Sequence, residues 1–183
     1  MRIISGIHKG RRIMAPKNLP VRPTTDMSKE ALFNILRHKT HINDIKMLDL
    51  FAGSGNMSYE FASRGAASVI AVDQHYPCLA FIKKTAETLN LPIDTIKADV
   101  FKFLEKHKGS YEIIFADPPY ELDEKEFFKI PDYIYANDLL AADGLLIIEH
   151  SKHTSLATHP HFDNERRYGG TTFSFFEAVS EDH

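Results

Sequence analysis

Apolar residues recur along this chain in two rhythms. From residue 46 onward, short apolar runs ending in an acid or a glycine alternate with stretches whose apolar residues lie three and four apart. KMLDLFAG reads as a strand ending in a Gly-rich turn, and NMSYEFASR as a short helix. ASVIAVD is a second strand, followed by a helix over residues 76 to 90. DTIKAD is a third strand and VFKFLEKH its helix; YEIIFAD is a fourth strand. Residues 124 to 141 have helical spacing with a break expected at Pro131, and GLLIIEH is a fifth strand. Strands alternating with helices predict βαβ units, right-handed crossovers and a parallel sheet. The tail departs from that rhythm. In FDNERRYGGTTFSFFEAVS, strict alternation on both sides of Gly169-Gly170 predicts an antiparallel hairpin closing the sheet.

Ahead of residue 46 the pattern is different again. RIISG-IHKG-RRIMAP reads as two short strands around a Gly-containing turn, a small hairpin or arm. Thr24, Thr25 and Asp26 are candidate N-caps, and Ala31, Leu32, Ile35 and Leu36 give the helix after them one buried face. The organisation expected is one α/β domain over residues 1–183, with a basic arm at 1–25, a helix at 26–40 and the core at 46–183.

Charge changes this picture only locally. The formal net charge is -3, which alone argues against a nucleic-acid partner. Yet residues 1–25 carry Arg2, Lys9, Arg11, Arg12, Lys17 and Arg22 with no acid, enough for a positive face on an acidic protein. These six are the candidate RNA-contacting residues. The single cysteine, Cys78, excludes an internal disulfide and a cysteine-based zinc site, and reads as a packing residue. His159 and His161 form the tightest histidine pair but have no carboxylate or cysteine close by in sequence, so no metal site is expected. MRIISGIHKGRR has no apolar stretch of signal-peptide length and no run approaches a membrane span, so a cytoplasmic protein is expected.

The candidate chemistry lies at the strand ends. Asp49, Asp73, Asp99 and Asp117 stand at or near the first four, where ligands of open α/β sheets bind. Asp49 opens DLFAGSG, whose Gly53 and Gly55 permit a tight turn. A dinucleotide fingerprint would need a third glycine where this chain has Ser58. An acid beside the loop also suits a cationic, amine-bearing ligand better than a pyrophosphate, and S-adenosylmethionine fits. With a methyl donor in the cleft, Asp117-Pro118-Pro119-Tyr120 acquires a purpose. A nucleobase amine is a poor nucleophile because its lone pair is delocalised into the ring. The Asp117 carboxylate and the Pro118 carbonyl, stiffened by Pro119, can accept its N–H bonds, and Tyr120 offers a stacking face.

DPPY after the fourth strand and DLFAGSG after the first resemble the S-adenosylmethionine-dependent amino-methyltransferases. GIHKGRRIMAPKNLPVRPTTD with KEALFNIL, and RYGGTTFSFF near the end, are similar to the outer segments of the RsmD family, which methylates N2 of a guanine in 16S ribosomal RNA. The resemblance implies a Rossmann-like class I methyltransferase fold with a mostly parallel seven-stranded sheet. It implies that Asp49, Phe51, Gly53 and Gly55 line the donor's methionine end, that Asp73 binds the ribose, and that Asp99 and Val100 meet the adenine. Thr24 and Thr25, with Arg22, fall in the motif that closes over the cofactor, and Asp117 to Tyr120 hold the guanine amine. The implied partner is 16S rRNA, met within a small-subunit assembly intermediate; the sequence shows no clear dimer face, so a monomer is expected. The chain departs from the family twice: an arginine expected after RPTTD is replaced by Met27-Ser28-Lys29, and an acid expected beyond Asp73 is His75. Two other functions share part of the pattern. An amino-methyltransferase acting on DNA or another RNA base would share DPPY but needs a recognition domain for which no block of sequence is spare. A non-catalytic S-adenosylmethionine- or RNA-binding protein has no use for a complete amine grip.

Overall fold

The computed structural model describes residues 1–21 and 24–180. Seven strands form one sheet in the order β3-β2-β1-β4-β5-β7-β6. They are β1 (Lys46–Leu50), β2 (Ser68–Asp73), β3 (Ile93–Lys97), β4 (Tyr111–Ala116), β5 (Leu140–Ser151), β6 (Phe162–Tyr168) and β7 (Thr171–Glu177). The first five pair in parallel; β7 runs antiparallel between β5 and β6. The helices are α1 (Asp26–Lys39), α2 (Asn56–Ser63), α3 (Tyr76–Leu89), α4 (Val100–Lys106) and α5 (Glu124–Ala136). Strand order reverses at β1, between β2 and β4, and that reversal opens the crevice at the carboxyl ends of the strands.

The central strands are apolar at successive positions because both faces are covered. Met47, Ile113, Phe115, Leu145 and Ile147 face one core with residues of α1, α2 and α3. Leu48, Ile114, Ala116, Leu146 and Ile148 face the other, against α4 and α5. Among the described residues, no helix is long and apolar enough to cross a membrane.

One expectation is narrowed and another corrected. Residues 1–13 do close as a small hairpin, but without two regular strands: a single antiparallel bridge joins Arg2 and Arg12, flanked by bonds from the Ile3 amide to Arg11, the Gly10 amide to Ile3 and the Ile13 amide to Met1. The hairpin is also anchored, with Ile3 and Ile13 buried in the core beside α1 and α2. Its turn packs so closely on the end of α2 that a Cβ on Gly6 would meet the Ser63 carbonyl oxygen at 1.9 Å. Second, α5 passes through Pro131 without a break and stops at Ala136. Phe127, Ile130 and Ile134, all fully buried, clamp both halves against the sheet. Residues from Leu140 belong to β5 because Leu140 pairs with Tyr111, a contact no local spacing reveals.

The arm meets the core through a buried ion pair. Lys29 is fully buried, and its Nζ reaches Glu60 Oε1 at 3.1 Å, the Arg2 carbonyl at 2.6 Å and Asn56 Oδ1 at 2.9 Å. All three ammonium protons are thereby used. Glu60 also accepts from the backbone amides of Ile4 (2.9 Å) and Ser5 (3.1 Å) and from Arg64 Nε (2.8 Å). Burial pulls the Lys29 ammonium below its ordinary pKa, and the facing Glu60 carboxylate opposes that pull. Glu60→Ala would strand a buried cation and two amides. It is expected to lower unfolding free energy by about 3–5 kcal/mol, read from denaturant midpoints, and to expose the arm to proteolysis.

Candidate active site

A cavity of about 640 Å³ opens where β1, β2, α4 and β4 present their adjoining loops. Its floor is the loop after β1. Phe51 adopts a left-handed backbone (φ 59°), an arrangement that costs a non-glycine residue about 1 kcal/mol or more. The Ala52 amide, bonded to the Val72 carbonyl at 3.0 Å, helps to hold the loop there, and the Phe51 ring meets Phe101 edge-on at 6.0 Å. Gly53 is left-handed too (φ 57°), and a Cβ there would sit 3.0 Å from Val21, so the glycine lets the N-terminal segment lie against the loop.

The four aspartates share the cavity wall but differ in environment. Asp49 lies within β1 and is only 2% exposed, with the Ser58 hydroxyl donating to it at 2.6 Å. Burial pushes its carboxyl up to about 7; the Ser58 bond opposes this and the nearby Asp73 charge adds to it. Asp73 accepts one backbone amide on each oxygen, Gly53 and His75, both at 2.9 Å. It thus ties the loop after β1 to the loop after β2, and each oxygen keeps a second lone pair. Asp99 caps α4, accepting from the Lys102 amide at 3.1 Å, while also facing the cavity beside Val100. Helix capping and cavity lining therefore coincide in one residue. Asp117 is half-buried just past β4, its amide bonded to the Leu50 carbonyl at 3.3 Å. Pro119 and Tyr120 line the cavity and are exposed, with Tyr120 at 38%.

Some candidate residues lie outside the lining. Pro118 is buried and outside the lining. Gly55 is the N-cap of α2, and Thr25 is the N-cap of α1, accepting from the Ser28 amide at 3.1 Å. Arg22 lies outside the described residues. Arg2, Lys9, Arg11, Arg12 and Lys17 are all exposed. They do not form one patch beside the cavity: the turn carrying Lys9 is fastened to Ser63 at the far end of α2 and, through His8, to the Leu89 carbonyl. Arg2 lies near the N-terminus of α1, 3.5 Å from Asp26.

The structure adds residues that the motifs did not single out. Leu19, Pro20 and Val21 form a strap that walls the cavity with Thr24. The Thr24 hydroxyl donates to the Glu149 carboxylate on β5 (2.9 and 3.1 Å), and Asn56 Nδ2 donates to the Thr24 carbonyl at 3.3 Å. Glu149 is 1% exposed, so a buried acid anchors the strap. Asn56 directly follows the Gly53-Ser54-Gly55 turn, which was the available signal for it; Glu149 had only its place near a strand end. His75 and Gln74 also face the cavity. Elsewhere, His159 does have a carboxylate partner, Asp132 at 2.9 Å, brought from α5 by the fold. His161 instead stacks on Tyr135 at 3.9 Å between centroids. Cys78 is fully buried, and burial pushes its thiol up to about 11.

Comparison with known proteins agrees with this architecture. The model of the family described as "Conserved hypothetical protein 95" matches residues 1–177. The Ribosomal RNA small subunit methyltransferase D of Escherichia coli (strain K12) is 32% identical over 163 residues, spanning 87% of this chain and 79% of that protein. The protein of the same name from Buchnera aphidicola subsp. Acyrthosiphon pisum is 36% identical over 146 residues, 73% of this chain and 75% of that one. A solved structure of a hypothetical protein from Thermus thermophilus superposes with a TM-score of 0.84 at 27% identity, covering 97% of this chain and 99% of that one. Sheet order and cleft together define a Rossmann-like class I methyltransferase. Within that class the chain belongs to the RsmD family.

The raised Asp49 pKa has a definite sign in stability. An aspartate is ordinarily ionised in the unfolded chain above pH ~4. Between pH ~4 and about 7 the folded protein therefore keeps a proton that the unfolded chain has lost, and stability falls as pH rises through that window. Asp49→Asn is expected to remove this slope, so that the melting-temperature difference between variant and wild type changes across the same window and is flat above it. Parallel melting curves over the whole range would contradict the assignment.

Proposed function

We propose that this chain is an S-adenosylmethionine-dependent methyltransferase acting on the exocyclic N2 amine of a guanine in small-subunit ribosomal RNA. The observation that carries the cofactor is the charge of the cavity. Asp49, Asp73, Asp99, Asp117 and Glu121 line it, and among the described residues no lysine or arginine does. Such a wall repels phosphate and favours a ligand with an ammonium and a cationic sulfur. When bound, the donor supplies a methyl group already activated by its sulfonium. Asp49 and the loop at Gly53 would hold its amino-acid end, Asp73 its ribose hydroxyls, and Asp99 with Val100 its adenine. An ammonium near Asp49 favours the ionised carboxylate, so donor affinity should weaken as pH falls below about 7.

At the other end of the cavity the amine grip supplies the acceptor. The Asp117 carboxylate and the Pro118 carbonyl accept the two N–H bonds of the amine, favouring a tetrahedral nitrogen whose lone pair can attack. The donor would supply the methyl group and its sulfur would keep the electron pair of the broken bond, while the amine would pass its surplus proton to the Asp117 carboxylate or to water. Tyr120, exposed at the mouth, is placed to stack on the base. Holding both reactants in line accounts for much of the rate.

The substrate class rests on the rRNA methyltransferases to which this chain is similar and on the exposed cations of the arm. Guanine N2 follows from the family resemblance of the RPTTD segment. We place the reaction in the cytoplasm, on an assembling small subunit, with the enzyme as a monomer. The test is incubation with labelled donor and small subunits, naked rRNA or DNA in parallel, followed by mapping of the modified base. Label at guanine N2 of rRNA is expected; label only in DNA, or on another base, overturns the reading. Asp117→Ala should abolish transfer while leaving donor affinity within about twofold, measured by calorimetry. Neutralising Arg11 and Arg12 together should weaken RNA binding and flatten its salt dependence without moving donor affinity.

A further inference from the structure

The same strand ends that hold the cavity carry a second basic surface, on elements outside the N-terminal arm. The β6–β7 turn, Gly169-Gly170, lies at the carboxyl end of β5, because Ser151 pairs with Thr171 and Thr171 with Tyr168. One row further in, His150 pairs with Thr172 and Thr172 with Arg167. In the next row Glu149 pairs with Phe173 and Phe173 with Arg166. Arg166 is thus level with the acid that anchors the strap, two strands away, roughly 10 Å at the usual strand spacing. Asp117, following β4, flanks β5 on its other side. Arg166 and Arg167 are exposed, and so are Lys152 and His153 in the turn that leaves β5. Arg167 approaches Glu165 only at 3.9 Å and is 61% exposed, so its guanidinium remains available to a ligand.

We infer that the β6–β7 hairpin and the β5 exit turn form a docking rail for the RNA strand, in which Arg166, Arg167 and Lys152 hold phosphates of nucleotides flanking the target base. This rests on the reading of the substrate as RNA. Three features favour a polyanion over another protein surface. Arg166 and Arg167 flank the edge strand β6 from opposite faces in adjacent rows near the turn, the Gly169-Gly170 turn has no side chain to obstruct a strand, and Phe173 and Phe175 of the hairpin are fully buried. The spacing fits as well: Lys152 leaves β5, the strand beside Asp117, and Arg166 lies two strands further on, roughly 10 Å at the usual strand spacing. The cavity mouth itself is acidic and would repel phosphate, so a base can enter only if its flanking backbone is held elsewhere. The turn carrying Lys9 is pinned to the far end of α2 and cannot serve that place.

The experiment compares three proteins: wild type, Arg166→Gln/Arg167→Gln, and Lys106→Gln/Lys108→Gln, which removes two exposed cations near the opposite end of the sheet. Each is assayed for methyl transfer to small-subunit RNA, for RNA affinity across a salt series, and for donor affinity. The hairpin variant is expected to bind RNA about tenfold more weakly near ~0.15 M salt, with a salt slope shallower by about 1.5. Its kcat at saturating RNA and its donor affinity should be unchanged, and the Lys106/Lys108 variant should match wild type. Equal RNA affinity and slope in the hairpin variant would overturn the rail. So would an equal loss in the Lys106/Lys108 variant, which would mean a net-charge effect. Wild type that methylates no RNA would overturn the RNA reading itself, a separate failure. Melting temperatures report whether the hairpin variant folds. Should it not, Lys152→Gln, altered in an exposed turn, carries the test with an expected loss of about threefold, and no loss there would overturn the proposal.

Discussion

A lysine ammonium and a glutamate carboxylate, both removed from water, hold the molecule's two parts together. Lys29 belongs to α1 and Glu60 to α2, and between them they engage the backbone of Arg2, Ile4 and Ser5. Desolvating such a pair is costly, and it persists because every donor of the ammonium has an acceptor. The consequence reaches the cavity. Lys29 also holds Asn56, Asn56 holds the Thr24 carbonyl, and the Thr24 hydroxyl holds Glu149 at the end of the sheet. The strap that walls the cofactor cavity is thus suspended between one buried ion pair and one buried acid.

This gives the first departure from the family pattern a physical meaning. The lysine standing where the family has an arginine is not an RNA-facing charge; it is interior. Its three protons point at three acceptors in three directions, a geometry that suits a compact ammonium, whereas a planar guanidinium would spread its donors in one fork. The helix packing around it is complete, with Phe33 covered by the Arg64 guanidinium at 4.1 Å. His75, the second departure, faces the cavity while its amide serves Asp73. Asp73 is therefore oriented by backbone, independently of the side chain at position 75.

Much of the fold was legible because strands buried on both faces read as unbroken apolar runs, and β1 to β4 each end close to the acid or turn that marked them. The misread stretches are those decided by distant partners. Residues 137–141 have helical spacing, yet Leu140 is drawn into the sheet by Tyr111. Pro131 should interrupt a helix, yet the packing of Phe127, Ile130 and Ile134 on both sides of it holds the helix together. The arm is closed by its own backbone bonds, but what fixes it on the core is its bonding to Glu60 and Ser63 of α2, which no local pattern shows. In the site, Asp49, Asp73, Asp99 and Asp117 were visible from their place after apolar runs. Asn56 and Glu149 had only weak local signals, the Gly-rich turn before one and a strand end for the other, and the strap had none, since nothing local distinguishes an acid that anchors another segment from one that faces water.

The sequence by itself determined the order of strands and helices, the Gly-containing loop, the four aspartates and the Asp117-Pro118-Pro119-Tyr120 segment after β4, because each follows from periodicity or from residues adjacent in the chain. Only the tertiary structure decided what those acids experience. Asp49 and Asp99 are the same residue type near strand ends, yet one lies inside β1, buried with its carboxyl pushed up to about 7, and the other is an exposed helix cap beyond β3. The difference is desolvation, set by what packs above each carboxylate. Part of that cover comes from α2, whose Ser58 bonds Asp49, and how α2 lies against β1 is not written in the stretch that holds the aspartate.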